Sequence, residues 1–308
     1  MSVLVLTAEE VEGLLPMEAC IEAMEEVLAS LAREELYQPL RFVVKPPNAD
    51  GMMGFMPAHR AGEQAAYSLK EIVVTPGNPE RGLDAHQGAV LLHDGATGEL
   101  RALLNAAPIT AIRTAAVSAV ATRALARKDV RTVAVIGTGV QGKAHEAALR
   151  AVLPDAEIGS WSRSSGGSPE ALIRGADVVC TCTNASEPVL PLDWLKSGAH
   201  VNAVGASGLW ARELDVETVA ASSLFVDRRE SALNESGEYR AAADAGAIGP
   251  EHILAELGEV LVGVHPGRQS DAELTLFKSL GLAVEDLAAA ELVVARARAE
   301  GAGTEVEF

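Results

Sequence analysis

Over residues 16–34 apolar side chains return every three or four positions among glutamates, the spacing of a helix with one face to bury. The period then changes. Residues 40–44, 52–56, 67–74 and 88–92 are short apolar or alternating runs cut apart by Pro and Gly, which predicts strands of a mixed or antiparallel sheet in an α+β lobe. The Ala-rich stretch 111–126, interrupted mainly by Arg113 and Arg123, predicts a helix joining this lobe to the next. From Val130 short apolar strands (132–136, 156–161, 177–182, 200–204, 224–226) alternate with helical stretches, notably 141–153 and 214–221. Such alternation is how βαβ units around a parallel sheet read. A last helix, 284–299, is expected to pack back onto the first lobe. The reading is an α/β protein of two domains: 114–282 is a Rossmann-like dinucleotide-binding domain, and 1–113, completed by 283–308, is an α+β domain.

Composition narrows the function classes. A chain of 308 residues with 48% apolar and 22% charged positions can bury a substantial core, which excludes disordered and fibrous classes. The formal charge of −18, with no segregated basic patch, argues against a nucleic-acid partner. The longest apolar stretches, such as 114–122, fall well short of the roughly 18–20 residues of a membrane helix. The first residues lack a basic region and soon meet Glu9 and Glu10, unlike a signal peptide, so a cytoplasmic location is expected. Cys180 and Cys182 stand one residue apart, unlike zinc ligand pairs, and read as buried strand residues. No metal site is expected.

The segment RTVAVIGTGVQGKAHEAAL places Gly137, Gly139 and Gly142 in G-x-G-x-x-G spacing, after one predicted strand and at the opening of a predicted helix. The first Gly allows the tight turn, the second lets backbone approach a pyrophosphate, and the third lets the helix pack closely. Thr138, Val140 and Gln141 complete the turn, and the helix start offers free N–H groups to phosphate. About 20 residues on, where NAD enzymes carry an acid for the ribose hydroxyls, the chain has Ser162, Arg163 and Ser164. An acid would repel the 2′-phosphate of NADP, whereas Arg163 and the flanking hydroxyls suit it, so NADP(H) is preferred over NAD(H). The alternative is that Arg163 is a solvated loop residue and either cofactor serves.

The runs ITAIRTAAVSAVATRAL, VIGTGVQG, VNAVGASGLWARELD, LFVDRRESALNESGE, ILAELGEVLVG and LTLFKSLGLAVEDLAAA, with QPLRFVV, GFMPA, SLKEIVV and AHQGAVLL before them, span nearly the whole chain in order. Together they resemble the ornithine cyclodeaminase/mu-crystallin family. The resemblance implies a substrate-binding and dimerisation lobe, a Rossmann NAD(P) lobe and a homodimer. It places Arg41, Lys70 and Arg113 around a substrate carboxylate and the nicotinamide, and Thr114, Thr183, Val204, Ser207 and Ser279 at the cofactor. Each of the three cations also has a plainer reading. Lys70 shares a strand face with Ile72 and Val74 and could snorkel, Arg41 could pair at a sheet edge, and Arg113 could cap or pair at the surface.

Where the family's cyclodeaminases and some of its alanine dehydrogenases carry an Asp followed by a Lys, this chain has Ser207 and, near the Lys position, Ala211. Ornithine cyclisation needs a carboxylate base, so the Ser version resembles instead the ketimine and pyrroline-carboxylate reductases. The implied activity is NAD(P)H-dependent reduction of a cyclic imine carboxylate such as Δ1-piperideine-2-carboxylate or Δ1-pyrroline-2-carboxylate to the cyclic L-amino acid. Lys70 is the candidate proton donor and His86 a second one, with a packed strand histidine as the plainer reading of His86. Asp227 receives no role. The alternatives are ornithine cyclodeaminase or alanine dehydrogenase activity, or an NADP-dependent small-ligand binding protein without turnover. The short segment 164–173 leaves little room for a further helix and strand, so a trimmed sheet edge is expected beside the adenine side of the pocket.

Overall fold

A computed structural model describes residues 2–308, Pro79 by its backbone alone. The chain divides into two compact units, Met1–Arg113 with Leu282–Phe308, and Thr114–Gly281. The first unit opens with β1 (Ser2–Leu6), α1 (Ala8–Leu14) and α2 (Met17–Ala32). Thr7 starts α1 with a reciprocal capping box, its hydroxyl accepting from the Glu10 amide while Glu10 accepts from the Thr7 amide. Strands β2 (Leu36–Tyr37), β3 (Phe42–Val44), β4 (Met52–Arg60), β5 (Ala66–Val74), β6 (His86–Asp94) and β7 (Leu100–Asn105) follow. Helix α3 (Ala106–Leu125) crosses the division between the units. It begins five residues before the sequence pattern suggests, because Pro108 falls in its first turn, where a missing N–H is no loss.

In the second unit β8 (Thr132–Ile136), α4 (Val140–Val152) and β9 (Glu157–Trp161) form the first βαβ step. Helix α5 (Glu170–Gly175), β10 (Val178–Thr181), β11 (His200–Ala203), α6 (Val216–Ala221) and β12 (Ser223–Val226) come next. Then come α7 (Arg229–Glu235), α8 (Gly237–Asp244), β13 (Ile253–Glu256), α9 (Leu257–Leu261) and β14 (Thr275–Lys278). The seven strands lie in the order β13-β12-β14-β11-β10-β8-β9, every neighbouring pair parallel. The chain leaves β8 for β9 on one side and then crosses to β10 on the other, so the C-terminal ends of β8 and β10 flank a topological switch point. Strand β9 is the sheet edge, and the connection after it holds only a 3-10 turn, Arg163–Ser165, and the short α5. Cys180 is buried in β10, whereas Cys182 lies one residue past the strand and is half-buried, so only the first is a buried strand residue.

Helix α10 (Ala283–Glu300) and β15 (Thr304–Glu307) return to the first unit. Its sheet runs β15-β1-β7-β6-β5-β4-β2, with β3 also on β4. It is mixed: β1 lies parallel to β7 and the other pairs are antiparallel. Helix α10 packs on α2 and on one face of β4, β5 and β6. That face carries Met56, Ala58, Ser68, Lys70, Val90 and Leu92, all buried. Successive strand residues point to opposite faces, so the other face presents Phe42, Val44, Tyr67 and Val73, all exposed.

Candidate active site

Lys70 sits in mid-β5 on the face covered by α10, and only 2% of its side chain is exposed. Its Nζ lies 2.7 Å from Asp286 Oδ2. Asp286 uses its other oxygen, Oδ1, to accept from Arg113 Nε at 3.0 Å, and Arg113 Nη1 donates to Glu285 Oε2 at 2.6 Å. Arg113 ends the unit's share of α3, and the two acids stand in the first turn of α10. Two cations and two carboxylates are thus interleaved with almost no access to water. These placements exclude the plainer readings of Lys70 as a snorkelling lysine and of Arg113 as a surface cap.

Burial holds the Lys70 ammonium down to about 8. The charges of Arg113 and Arg41 push the same way, and Asp286 opposes them. For Arg113 burial favours loss of the proton, but Asp286 and Glu285 outweigh it and raise its affinity for the proton. Arg41, half-buried just before β3, belongs to the same electrostatic neighbourhood. His86 opens β6 with an exposed side chain, which corrects the packed-histidine reading. Removal of part of its ring from water, reinforced by the charge of Lys70, lowers its pKa against the opposing pull of Asp84.

In the second unit the sequence turn is built as its glycines require. Gly137 has φ +118°, and a Cβ there would stand 2.4 Å from the Cys182 carbonyl oxygen. A Cβ on Gly142 would stand 1.9 Å from the Gly137 oxygen. Gly139, the N-cap of α4, instead faces open space. No side chain caps α4, Val140 is exposed, and the buried Oε1 of Gln141 has no hydrogen-bond partner among the described residues. An uncapped helix start and an open glycine fit the pyrophosphate of a dinucleotide. Past β9, the hydroxyls of Ser162 and Ser164 lie 2.8 Å apart in the 3-10 turn that carries the exposed Arg163.

Around the other strand ends two buried acids tie loops to the sheet. Glu213 accepts from Thr183 N and Thr183 Oγ1 at 2.7 Å each, from Gly205 N at 2.7 Å and from Thr181 Oγ1 at 2.8 Å. Burial raises its pKa against the charge of Lys278 and these donors. Lys278 Nζ donates to Ala206 O at 2.5 Å and pairs with Glu238 at 3.2 Å. Asp227 accepts from the amides of Arg228, Leu280 and Gly281, which gives it a structural part in holding the segment after β14. Thr183 therefore turns its hydroxyl toward Glu213, Val204, Ser279 and Thr114 are buried, and Ser207 is exposed on the loop after β11.

The sequence matches the ornithine cyclodeaminase/mu-crystallin family over residues 1–168 and 163–301. The chain belongs to that family. It is 38% identical to the mouse (Mus musculus) ketimine reductase mu-crystallin across 94% of this chain and 95% of that one. The solved structure of Thermococcus litoralis Δ1-pyrroline-2-carboxylate reductase in complex with NADH and L-proline superposes with a TM-score of 0.92 at 35% identity, covering 99% of this chain and 100% of that one. An archaeal alanine dehydrogenase dimer with bound NAD superposes at 0.93 and 33% identity over the whole of both chains.

Within this family member the residues singled out from sequence fall into two groups, one in each unit. Lys70, Arg113, Arg41 and His86 share the cluster of the first unit, and the glycine turn with Ser162, Arg163 and Ser164 belongs to the second. Sequence reasoning missed Glu285 and Asp286. The available signal was a pair of adjacent acids in the first turn of a helix, followed at once by the wholly apolar run Leu287–Ala290, an expensive place for charge without partners.

Proposed function

We propose that this family member reduces a cyclic ketimine carboxylate, Δ1-piperideine-2-carboxylate or Δ1-pyrroline-2-carboxylate, to the cyclic L-amino acid. The observation that carries this reading is a buried lysine, held at about 8 and fixed by a carboxylate, beside two arginines in one cluster. Bound at the glycine turn, a nicotinamide dinucleotide supplies the hydride that adds to the imine carbon. Arg41 and Arg113 hold the substrate carboxylate, since a guanidinium fork matches its two oxygens and fixes the neighbouring carbon. Lys70 gives a proton from Nζ to the imine nitrogen, the C=N double bond becomes a C–N single bond, and solvent restores the lysine proton. His86, exposed at the head of β6, relays that proton.

Gly137, Thr138, Gly139, Val140 and Gln141 hold the pyrophosphate, with Thr114, Thr183, Val204, Ser207 and Ser279 completing the cofactor site. Arg163, with Ser162 and Ser164, selects NADPH over NADH because no carboxylate stands at that strand end. The protein works as a homodimer through the exposed sheet face of Phe42, Val44, Tyr67 and Val73, an apolar patch that water disfavours.

NADPH oxidation at 340 nm with either ring substrate, run beside NADH from pH 5 to 8, tests the reading: saturable turnover favouring NADPH is expected. The full-length likeness to an alanine dehydrogenase supports a second reading, reduction of an open-chain imine. Turnover with pyruvate plus ammonia and none with either ring would select it. Tight NADPH binding without turnover on any imine would move the reading to a small-ligand binding protein.

A further inference from the structure

Asp286 touches both cations of the cluster, whereas Lys70 and Arg113 reach it from different elements, β5 and α3. The groups facing Lys70 can be named element by element. Asp286 comes from α10, where its neighbour Glu285 pairs with Arg113, and the others are Arg113 from α3, Arg41 from the segment before β3 and His86 from β6. Cys20 of α2, buried and neutral, adjoins Arg113 and Glu285. Of these, Asp286 is the carboxylate in contact with Nζ, at 2.7 Å, and neither side chain has water to replace its partner. Without that carboxylate the ammonium would be left beside a guanidinium in a dry site, and its neutral form would prevail.

We propose that Asp286 is a positioning residue for reduction: it fixes Nζ of Lys70 and keeps it protonated, so that the lysine arrives at the imine nitrogen with a proton to give. The proposal deepens the reductase reading and rests on it for the proton's destination. It does not rest on it for the state of Lys70. Asp286 itself touches neither substrate nor cofactor, and its effect passes through Lys70.

The test compares the wild type with Asp286→Asn and Glu285→Gln. The chain has six lysines, so 15Nζ-lysine NMR with Lys70→Arg as the assignment control follows the Lys70 titration directly. Asp286→Asn is expected to move its midpoint down by about one pH unit or more. Glu285→Gln, which keeps the 2.7 Å partner of Lys70, is expected to move it much less. In the imine assay the alkaline limb of kcat should move the same way, with kcat near pH 8 reduced about 10- to 100-fold and the Kd for NADPH within about twofold.

An unchanged Lys70 midpoint in Asp286→Asn overturns the proposal whatever the enzyme reduces. A wild type inactive on every imine overturns the reductase reading and leaves the titration to judge Asp286. Should Asp286→Asn fail to fold, Asp286→Glu, which keeps the charge, is expected to fold and retain the wild-type midpoint. Lys70→Met added to Asp286→Asn is expected to restore folding by removing the stranded cation. Failure of both rescues overturns the proposal.

Discussion

Three buried carboxylates of one unit and two of the other serve different ends. In Thr114–Gly281, Glu213 and Asp227 accept from backbone amides, and Asp177 accepts from the amides of Arg131 and Thr132 as well as from Arg127. Such acids are staples whose work is to fix loops at the strand ends, even where a lysine also pairs with one of them, as Lys196 does with Asp177 at 2.6 Å. In the other unit Glu285 and Asp286 meet side-chain cations, one of them a lysine that changes protonation near neutral pH. A buried acid facing a titrating group is coupled to chemistry, while one facing amides is coupled to shape.

Substitutions can break that contrast, beginning with the most severe. Lys70→Ala should lower kcat for imine reduction by about 10²- to 10⁴-fold while NADPH binding, followed by fluorescence titration, survives. Comparable turnover in the variant would remove the lysine from proton transfer. Within the nucleotide turn the two glycines should part company. Gly142→Ala drives a methyl into the Gly137 carbonyl and should lower stability by about 3 kcal/mol or more, read by thermal unfolding. Gly139→Ala meets open space and should stay within about 0.5 kcal/mol of the parent while weakening NADPH. A stability loss at both would mean that the turn is shaped for packing alone.

Arg163→Ala should weaken NADPH about tenfold and NADH less than twofold, with unfolding unchanged, because the side chain is exposed. The smallest effect concerns Asp177. Burial raises its pKa, but Lys196 and the amides of Arg131 and Thr132 outweigh that and hold it to about 2. A carboxyl held below its unfolded value adds stability above about pH 4, and that stability is lost as pH falls through 4 toward 2. Asp177→Asn should therefore cost about 1 kcal/mol at pH 7 and nearly nothing at pH 2, measured by urea unfolding at both.

The glycine turn was legible because its requirement is local: three glycines at fixed spacing between a strand and a helix state their own geometry. The period of α2 and the alternation of β4 to β6 were legible for the same reason. The edge position of β9 also followed from local arithmetic, since 164–173 is too short to reach farther out. Partnership across distance was not legible. Arg113 and Asp286 are 173 positions apart, and nothing near either residue announces the other. Strand β14, buried at every position, shows no alternation, and β15 is a short exposed strand that pairs antiparallel with β1. Both went unread, as did β1 and β7, while α6 begins two residues later than expected because Asp215 caps it, accepting from Thr218 N at 2.7 Å.

The return of α10 and β15 to the first unit bears on synthesis. A ribosome that has delivered the chain as far as Gly281 has delivered every residue of one unit, but neither the strand that borders β1 nor the helix that covers Lys70. Until residues 282–308 emerge, Lys70 and Arg113 lack their acids and that side of the sheet lies open. The residues that neutralise the cluster are made only after the whole of the nucleotide unit, and a truncation in α10 would leave that unit's residues complete and the first unit without its covering helix.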